Sequence, residues 1–496
     1  VTESTTTAPD VPTTYGDLLA AVTAPADPAG KTAREVHDPA TGELIGHAPV
    51  QTVDDLERDI AAAREAQRAW AARPDAERRD LLLKAADAVE AAAEPLAELL
   101  SREQGKPLNG PNARFEVGAC QSWTRTAATT ELEPEVVVDD GETYATLSYK
   151  PIGVVGAIGP WNWPMMISVW QIAPSLRMGN TVVLKPSANT TLSVLALVHV
   201  LNTVLPEGVL TVIAGDRKVG RLIPTHPGID KIMFTGSTET GKKIAEGAAA
   251  TVKRLTLELG GNDAGIVLED AFGTDTSDPA VVEANDKVAA DIFWGAFINT
   301  GQTCAALKRL YVPDAIYDVV CESLTRVAGQ MPMGVGLEEQ NVLGPLQNRN
   351  QFDIVDELVT AAKDSGARVL CGGDPDYDAP GFFYPTTLVA DIDPDNPLVT
   401  EEQFGPALPI VRYSTLDEAL HEANRLDVGL GASVWSSDRA KAREVAERVE
   451  AGTVWINAHG AIDPRVPFGG IKSSGYGLEF GVEGLKHVAL PHVING

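Results

Sequence analysis

The sequence predicts an α/β protein built from two successive strand–helix alternations. Three observations predict it. Between residues 152 and 259, apolar runs of four to seven residues recur, each followed by a turn signal and a helical pattern. A second alternation of the same kind occupies residues 265–457. The short runs lack the apolar–polar alternation of a half-exposed strand, so they read as parallel strands buried on both faces.

Taken in order, residues 53–105 come first and are helical. VDDLERDIAAAREAQRAWAARP and ERRDLLLKAADAVEAAAEPLAELLSREQG repeat apolar residues every three or four positions. At 135–149 the period drops to two around Asp140-Gly141, the pattern of a β-hairpin. The first alternation then runs through strands at 152–158, 181–184, 210–213, 231–234 and 255–259. Helices fall between them, to Met178, through Val204, over 216–225 and over 238–250. The second alternation has strand candidates at 266–268, 309–312, 367–373, 408–413, 431–435 and 453–457. Ligands of such sheets bind beyond the C-terminal strand ends, so a cleft between the two halves is the expected site. The Thr-rich opening VTESTTTAPD reads as a frayed tail.

Charge and composition exclude several functions. Of the 496 residues, 40 are Lys or Arg and 69 are Asp or Glu, a net charge of -29. That surface repels phosphate backbones and anionic lipid, so neither nucleic acid nor membrane is an expected partner. The four cysteines, Cys120, Cys304, Cys321 and Cys371, form no CxxC pair, and the eight histidines form no HExxH, so no metal site is expected. Residues 1–30 contain no Lys or Arg and hence no signal-peptide n-region, which implies a cytoplasmic protein. The stretch between Lys150 and Arg177 is uncharged, but its glycines and prolines would break a spanning helix.

Four segments carry candidate chemistry. FTGSTETGKK (234–243) follows a strand and opens a helix, yet Lys243 stands where a P-loop needs Ser or Thr to hold Mg²⁺. What remains is either a plain turn or a set of free N–H groups facing a phosphate. Asn162, in WNWP after the 152–158 strand, is either a turn former or an oxyanion donor. Glu258, among the apolar residues of LELGG, is either an edge carboxylate or a base of raised pKa. Cys304 closes the polar turn NTGQTC; a lone cysteine is more often a small buried hydrophobe, but a Gly-containing turn between helix and strand, with an Asn donor and a buried Glu, raises the case for covalent catalysis.

Together, PWNWP (160–164), KPS (185–187), FTGS (234–237), LELGG (257–261), NTGQTC (299–304), EEQFGP (401–406) and PFGGIKSSGYG (467–477) closely resemble the aldehyde dehydrogenase superfamily, in its order and spacing. The resemblance covers the chain from about residue 30 to the C-terminus. It implies a Rossmann-type cofactor domain (1–131 and 152–260), an α/β catalytic domain (261–475), and a small β flap for oligomerisation. The flap would combine the hairpin at 132–151 with the C-terminal segment 476–496, giving a homodimer or homotetramer. A hairpin is marginal alone in water, which agrees with such packing.

The resemblance also implies roles. Cys304 would attack the aldehyde carbon to give a thiohemiacetal. The Asn162 amide and the Cys304 backbone N–H would hold the oxyanion. Hydride transfer to NAD or NADP would leave a thioester, and Glu258 would activate the water that hydrolyses it. Glu479 would serve as a proton relay. Lys185 would bind the adenosine ribose, Glu402 the nicotinamide ribose, and Gly236 and Ser237 the pyrophosphate. Phe404 would pack on the nicotinamide, with Ile158, Trp161, Ser187, Ala188, Phe234, Leu259 and Gly260 completing the cofactor site. The aldehyde tunnel would be lined by Trp163, Ile167, Trp170, Thr303, Ile462 and Phe468.

Those tunnel residues offer no basic partner for a carboxylate, which favours uncharged aliphatic or aromatic aldehydes unless Arg125 or Arg465 enters the tunnel. CoA-acylating relatives typically lack a glutamate at the Glu258 position, so its presence favours hydrolysis over acyl transfer to CoA. Intact Cys304 argues against a non-catalytic member. Many NAD-preferring members carry Glu three residues after the cofactor lysine. This chain has Ala188 there, with Ser187 beside it and Arg217 and Lys218 after the next strand, so NADP is expected to be at least tolerated.

Overall fold

The computed structural model describes residues 11–496; the expected frayed tail at 1–10 lies outside the described residues. Two buried sheets organise the chain. The first has six strands in the order Gly475–Tyr476, Arg254–Glu258, Lys231–Thr235, Val154–Ile158, Thr181–Lys185, Leu210–Val212. All neighbours are parallel except the Gly475–Tyr476 edge. The chain enters this sheet at its centre, with Val154–Ile158, and builds outward to Leu210–Val212. It then crosses to Lys231–Thr235 on the other side. The strand order therefore reverses between Val154–Ile158 and Lys231–Thr235, and a crevice opens there beyond the C-terminal ends.

Both faces of this sheet are covered, as wholly apolar strands require. Leu56, Ile60 and Ala63 of helix Val53–Ala72 pack with Val154, Val183 and Ile232 on one face. Helices Pro164–Arg177 and Thr191–Asn202 pack on the other with Val155, Val182 and Leu184. Outside them lie helices Asp75–Ala91 and Ala113–Thr129.

The second sheet has seven strands in the order Arg368–Cys371, Thr387–Ala390, Ala407–Tyr413, Leu307–Pro313, Asp263–Val267, Gly431–Trp435, Thr453–Ile456. Only the Arg368–Cys371 edge is antiparallel. Separate apolar clusters around Val355 and Phe293 fill its two faces. A third, antiparallel sheet joins the hairpin Glu135–Asp139 and Tyr144–Pro151 to Ala489–Asn495. The C-terminal strand supplies the third member that a hairpin needs for stability.

Several elements differ from expectation. The helical stretch 53–105 is three helices, broken after Ala72 by Pro74 and again at Ala92. Helix Ala113–Thr129 carries a mid-helix Gly118 and several Thr residues, which hide its apolar face from a periodicity reading. The four-residue strand Thr387–Ala390 is too short to declare itself. Asp263–Val267 begins three residues earlier than its apolar run because pairing on both sides overrides the poor strand propensity of Asp and Gly.

Candidate active site

A cavity of about 940 Å³ opens at the strand-order reversal. Its walls come from the C-terminal strand ends, Ile158, Lys185, Phe234 and Glu258, and from the loops that follow them. All twelve cofactor candidates named from the sequence line it: Ile158, Trp161, Lys185, Ser187, Ala188, Phe234, Gly236, Ser237, Leu259, Gly260, Glu402 and Phe404. Asn162, Glu258 and Cys304 line the same cavity. Glu479 is not on its wall; its own burial raises its carboxyl, and its charge adds to the burial that raises Glu258.

The cysteine sits after a strained turn. Asn299, Thr300 and Gly301 all have positive φ, at 51°, 56° and 75°. Two consecutive non-glycine residues there are costly and persist only when the surroundings over-determine them. Thr300 Oγ1 donates to Gly344 O at 3.2 Å and accepts from Gly344 N at 2.9 Å. Gln302 Nε2 donates to Asn299 O, its Oε1 accepts from Gln347 N, and Lys308 Nζ donates to Gly301 O. A Cβ on Gly301 would stand 2.2 Å from Gly405 O, so only glycine closes the turn. Asn162 is fixed against this turn. Its Nδ2 donates to Gln302 O at 3.0 Å, which leaves one amide hydrogen for the cavity. Trp163 Nε1 donates to Thr303 Oγ1 at 2.9 Å.

The site is rich in carboxylates held out of water. Glu258 is buried and neither oxygen has a hydrogen-bond partner; burial, then Glu479, pushes its carboxyl well above the usual range. Glu479 is alike, pushed up to about 8 by burial against the pull of Lys231. The two titrate as a pair rather than singly. Glu402 is pushed up to about 7 by burial, opposed by Lys308, and accepts from Gly261 N at 3.4 Å. Burial and the carboxylates of Glu402, Glu258 and Asp263 push the Cys304 thiol up. An isolated thiolate is disfavoured there, so a base or a nearby cation has to assist it.

The cavity also fits a dinucleotide. Helix Thr238–Ala249 starts at its wall with the unpaired N–H groups of its first turn, and Ser237 caps Thr240 N. Phe234 packs so close to Gly236 that a Cβ there would meet its ring at 2.5 Å. The Phe404 ring meets Trp161 edge-on at 5.4 Å. Lys185 is buried with Nζ donating to Pro186 O, and burial lowers its pKa.

The cavity walls include none of the six expected tunnel residues. Trp163, Ile167 and Trp170 share one face of helix Pro164–Arg177 and its start, leading away from the cysteine turn. Trp170 and Phe468 belong to an aromatic cluster completed by Trp123 and Phe480, and Phe115 packs edge-on against Trp163. Ile462 packs partly buried against the same core. Sequence reading missed Trp123, Phe480 and Phe115, which arrive from other elements. Arg125 is held by Asp87 and Glu90, and Arg465 by Asp463. Near Ala188 the wall takes Arg217 and also Arg221, which the sequence reading passed over, but not Lys218. Asn350, Gln351 and Ile354 of helix Arg349–Asp364 were likewise not foreseen; Gln351 Nε2 donates to Gln403 O and so steadies the Glu402 segment.

The chain matches the model of the aldehyde dehydrogenase family over residues 26–493. It is 38% identical over 466 residues to the phenylacetaldehyde dehydrogenase of Pseudomonas fluorescens, covering 91% of this chain and 90% of that protein. Among solved structures, it is similar to the NAD⁺ complex of an aldehyde dehydrogenase from Bacillus cereus, with 33% identity, a TM-score of 0.87 and 94% of each chain covered. It is also similar to an E. coli NADP-dependent enzyme, with 32% identity, a TM-score of 0.88, and 93% and 94% of the two chains covered.

Proposed function

The chain belongs to the aldehyde dehydrogenase family, NAD(P)-dependent enzymes that oxidise aldehydes to carboxylic acids, and from that premise we propose that Cys304 is its nucleophile, Asn162 its oxyanion donor and Glu258 its base. The observation that carries the reading is the convergence of these three side chains and the twelve cofactor candidates on one cavity. The Cys304 thiol gives its proton to water, its sulfur bonds to the aldehyde carbon as the C=O π bond opens, and the carbonyl oxygen takes up charge that the free Asn162 N–H and the Cys304 backbone N–H stabilise. When bound, the oxidised nicotinamide supplies the hydride acceptor. Lys185 and Glu402 would hold its two riboses, and Gly236 with Ser237 its pyrophosphate. Glu258 then takes a proton from the water that attacks the resulting Cys304 thioester. The C–O bond forms, the C–S bond breaks, and the thiolate leaves. Glu479 passes the proton onward.

On this reading the domain of residues 1–131 and 152–260 holds the cofactor, 261–475 carry the nucleophile, and the hairpin at 132–151 with the C-terminal segment 476–496 joins copies of the chain into a dimer or tetramer. Exposed Val136, Val137, Tyr144, Val493 and Ile494 on the three-stranded sheet support that last role. All four cysteines are free thiols, which supports a cytoplasmic setting. Among the described residues no helix is long and apolar enough to cross a membrane. Both cofactors are accepted, because Ala188 presents no carboxylate to a 2′-phosphate while Arg217 and Arg221 stand on the same wall. The substrate is an uncharged aldehyde: the expected tunnel is apolar, and Arg125 and Arg465 are already paired.

An initial-rate panel tests the reading. Hexanal, benzaldehyde, phenylacetaldehyde and succinate semialdehyde are compared with each cofactor, with and without CoA. The uncharged aldehydes should give the higher kcat/KM, with a free acid as product and no CoA requirement. A CoA requirement, or a large preference for succinate semialdehyde, would overturn the hydrolytic or the substrate part respectively.

A further inference from the structure

Behind the proposed oxyanion donor lies an ion pair cut off from water. Lys106 and Glu116 side chains are both fully buried, with Nζ and Oε2 2.5 Å apart. Neither belongs to the sheet that carries the cavity. Lys106 follows the left-handed cap Gly105 of helix Ala93–Gln104, and Glu116 lies in the first turn of helix Ala113–Thr129.

Their remaining contacts converge on the segment 162–166. Lys106 Nζ donates to Asn162 O at 2.8 Å and sits 3.6 Å over the Trp163 ring. Glu116 Oε1 accepts from Met165 N at 2.8 Å and Met166 N at 3.1 Å. Helix Pro164–Arg177 has no side-chain cap from its own N-cap residue, Trp163, so Glu116 satisfies the N–H groups such a cap would take. The Asn162 carbonyl accepts a second bond, 2.9 Å from Asn299 Nδ2, and that asparagine belongs to the strained turn before Cys304. The Asn162 peptide is thus held from the Lys106 side and the Cys304 side together.

Stability alone is a weak reason for such a pair. Taking two charges out of water is costly, and apolar residues of similar volume are often as stable. Fixed geometry is the better reason, because a small misplacement of a catalytic group costs orders of magnitude in rate. We propose that Lys106 and Glu116 act together as positioning residues, clamping the Asn162 peptide so that its side-chain amide meets the developing oxyanion. The inference rests on the reading of Asn162 given above.

The test is a mutant cycle read in the first-turnover rate of cofactor reduction with benzaldehyde. Wild type, Asn162→Ala, the pair Lys106→Met/Glu116→Gln, and the triple variant are compared. Asn162→Ala should slow the first turnover by about 10²–10³-fold, the usual loss for one oxyanion donor. The pair variant should slow it by at least about tenfold. The triple variant should match Asn162→Ala within about twofold, since a clamp acts only through what it holds. The Kd for reduced cofactor should stay within about twofold of wild type in every variant, a constancy that general loosening of the fold would not leave. Glu116→Gln alone, which keeps the acceptor for Met165 and Met166 N–H, gives the same cycle if the pair variant does not fold. Additive losses, or a pair variant with a wild-type first turnover, would overturn the clamp while leaving the Asn162 assignment intact. A fast first turnover in Asn162→Ala would overturn both.

Discussion

Replacing Glu258 by Gln should divide the reaction in two. The substitution preserves shape, and it removes a carboxyl that is buried without a hydrogen-bond partner beside Glu479, so the fold has little to lose. On the proposed reading, acylation of Cys304 hands the thiol proton to water and not to Glu258, so reduced cofactor should appear in a burst of one equivalent per active site. Hydrolysis of the thioester would use it as the proposed base. Loss of a general base costs ~10²–10⁴-fold, or roughly 3–5 kcal/mol on that step. Stopped-flow absorbance of the reduced cofactor separates the phases: a full burst, then turnover slowed by about that factor. Cys304→Ala should show neither phase while still binding cofactor.

The pH profile adds a check. A base works only when ionised, and burial beside Glu479 holds the proton on this pair above the ordinary carboxylate value, to about 8 for Glu479. Wild-type steady-state turnover should therefore climb as pH rises through neutrality, and the climb should vanish in Glu258→Gln. Wild-type turnover in the variant, or an absent burst, would refute the assignment of Glu258 to hydrolysis.

Two further substitutions probe the cavity wall and the cysteine turn. Ala188→Glu should lower kcat/KM for NADP at least tenfold more than for NAD: like charges at about 4 Å repel by up to roughly 4 kcal/mol at an effective dielectric of 20, before screening. Equal losses with both cofactors would mean that position 188 does not face the ribose. Gly301→Ala places a Cβ 2.2 Å from Gly405 O at positive φ, and should cost roughly 2–4 kcal/mol together with most activity. Gly366→Ala, at φ 87° with nothing within 4 Å, should cost only about 1–2 kcal/mol and keep full activity, so equal melting shifts would contradict the reading of the turn.

What could be read from the sequence is what the chain decides locally. Apolar runs of the first sheet mark strands because nothing but burial on both faces explains them, and the glycines and Asn162 stand at their ends because the cavity lies there, while Cys304 reaches it from the turn before a strand of the second sheet. Distances set across the fold could not be read. Arg217 and Lys218 look equivalent as neighbours in sequence, yet residues one apart on a helix face different ways, whereas Arg217 and Arg221 are one turn apart and share the cavity wall. The left-handed Asn299 and Thr300 give no sign of their conformation, since it is imposed by Gly344, Gln347 and Lys308 from elsewhere. The Lys106–Glu116 pair is hidden for the same reason: in sequence it is a lysine in a GKP turn and a glutamate on a helix, both commonest on surfaces. The motifs therefore name the groups that would touch substrate and cofactor, while the groups that hold them in place come from loops, a helix and a strand of the second sheet. Substitutions far from any motif, at Lys106 or Glu116, should then disturb the chemistry more than many substitutions within the motifs themselves.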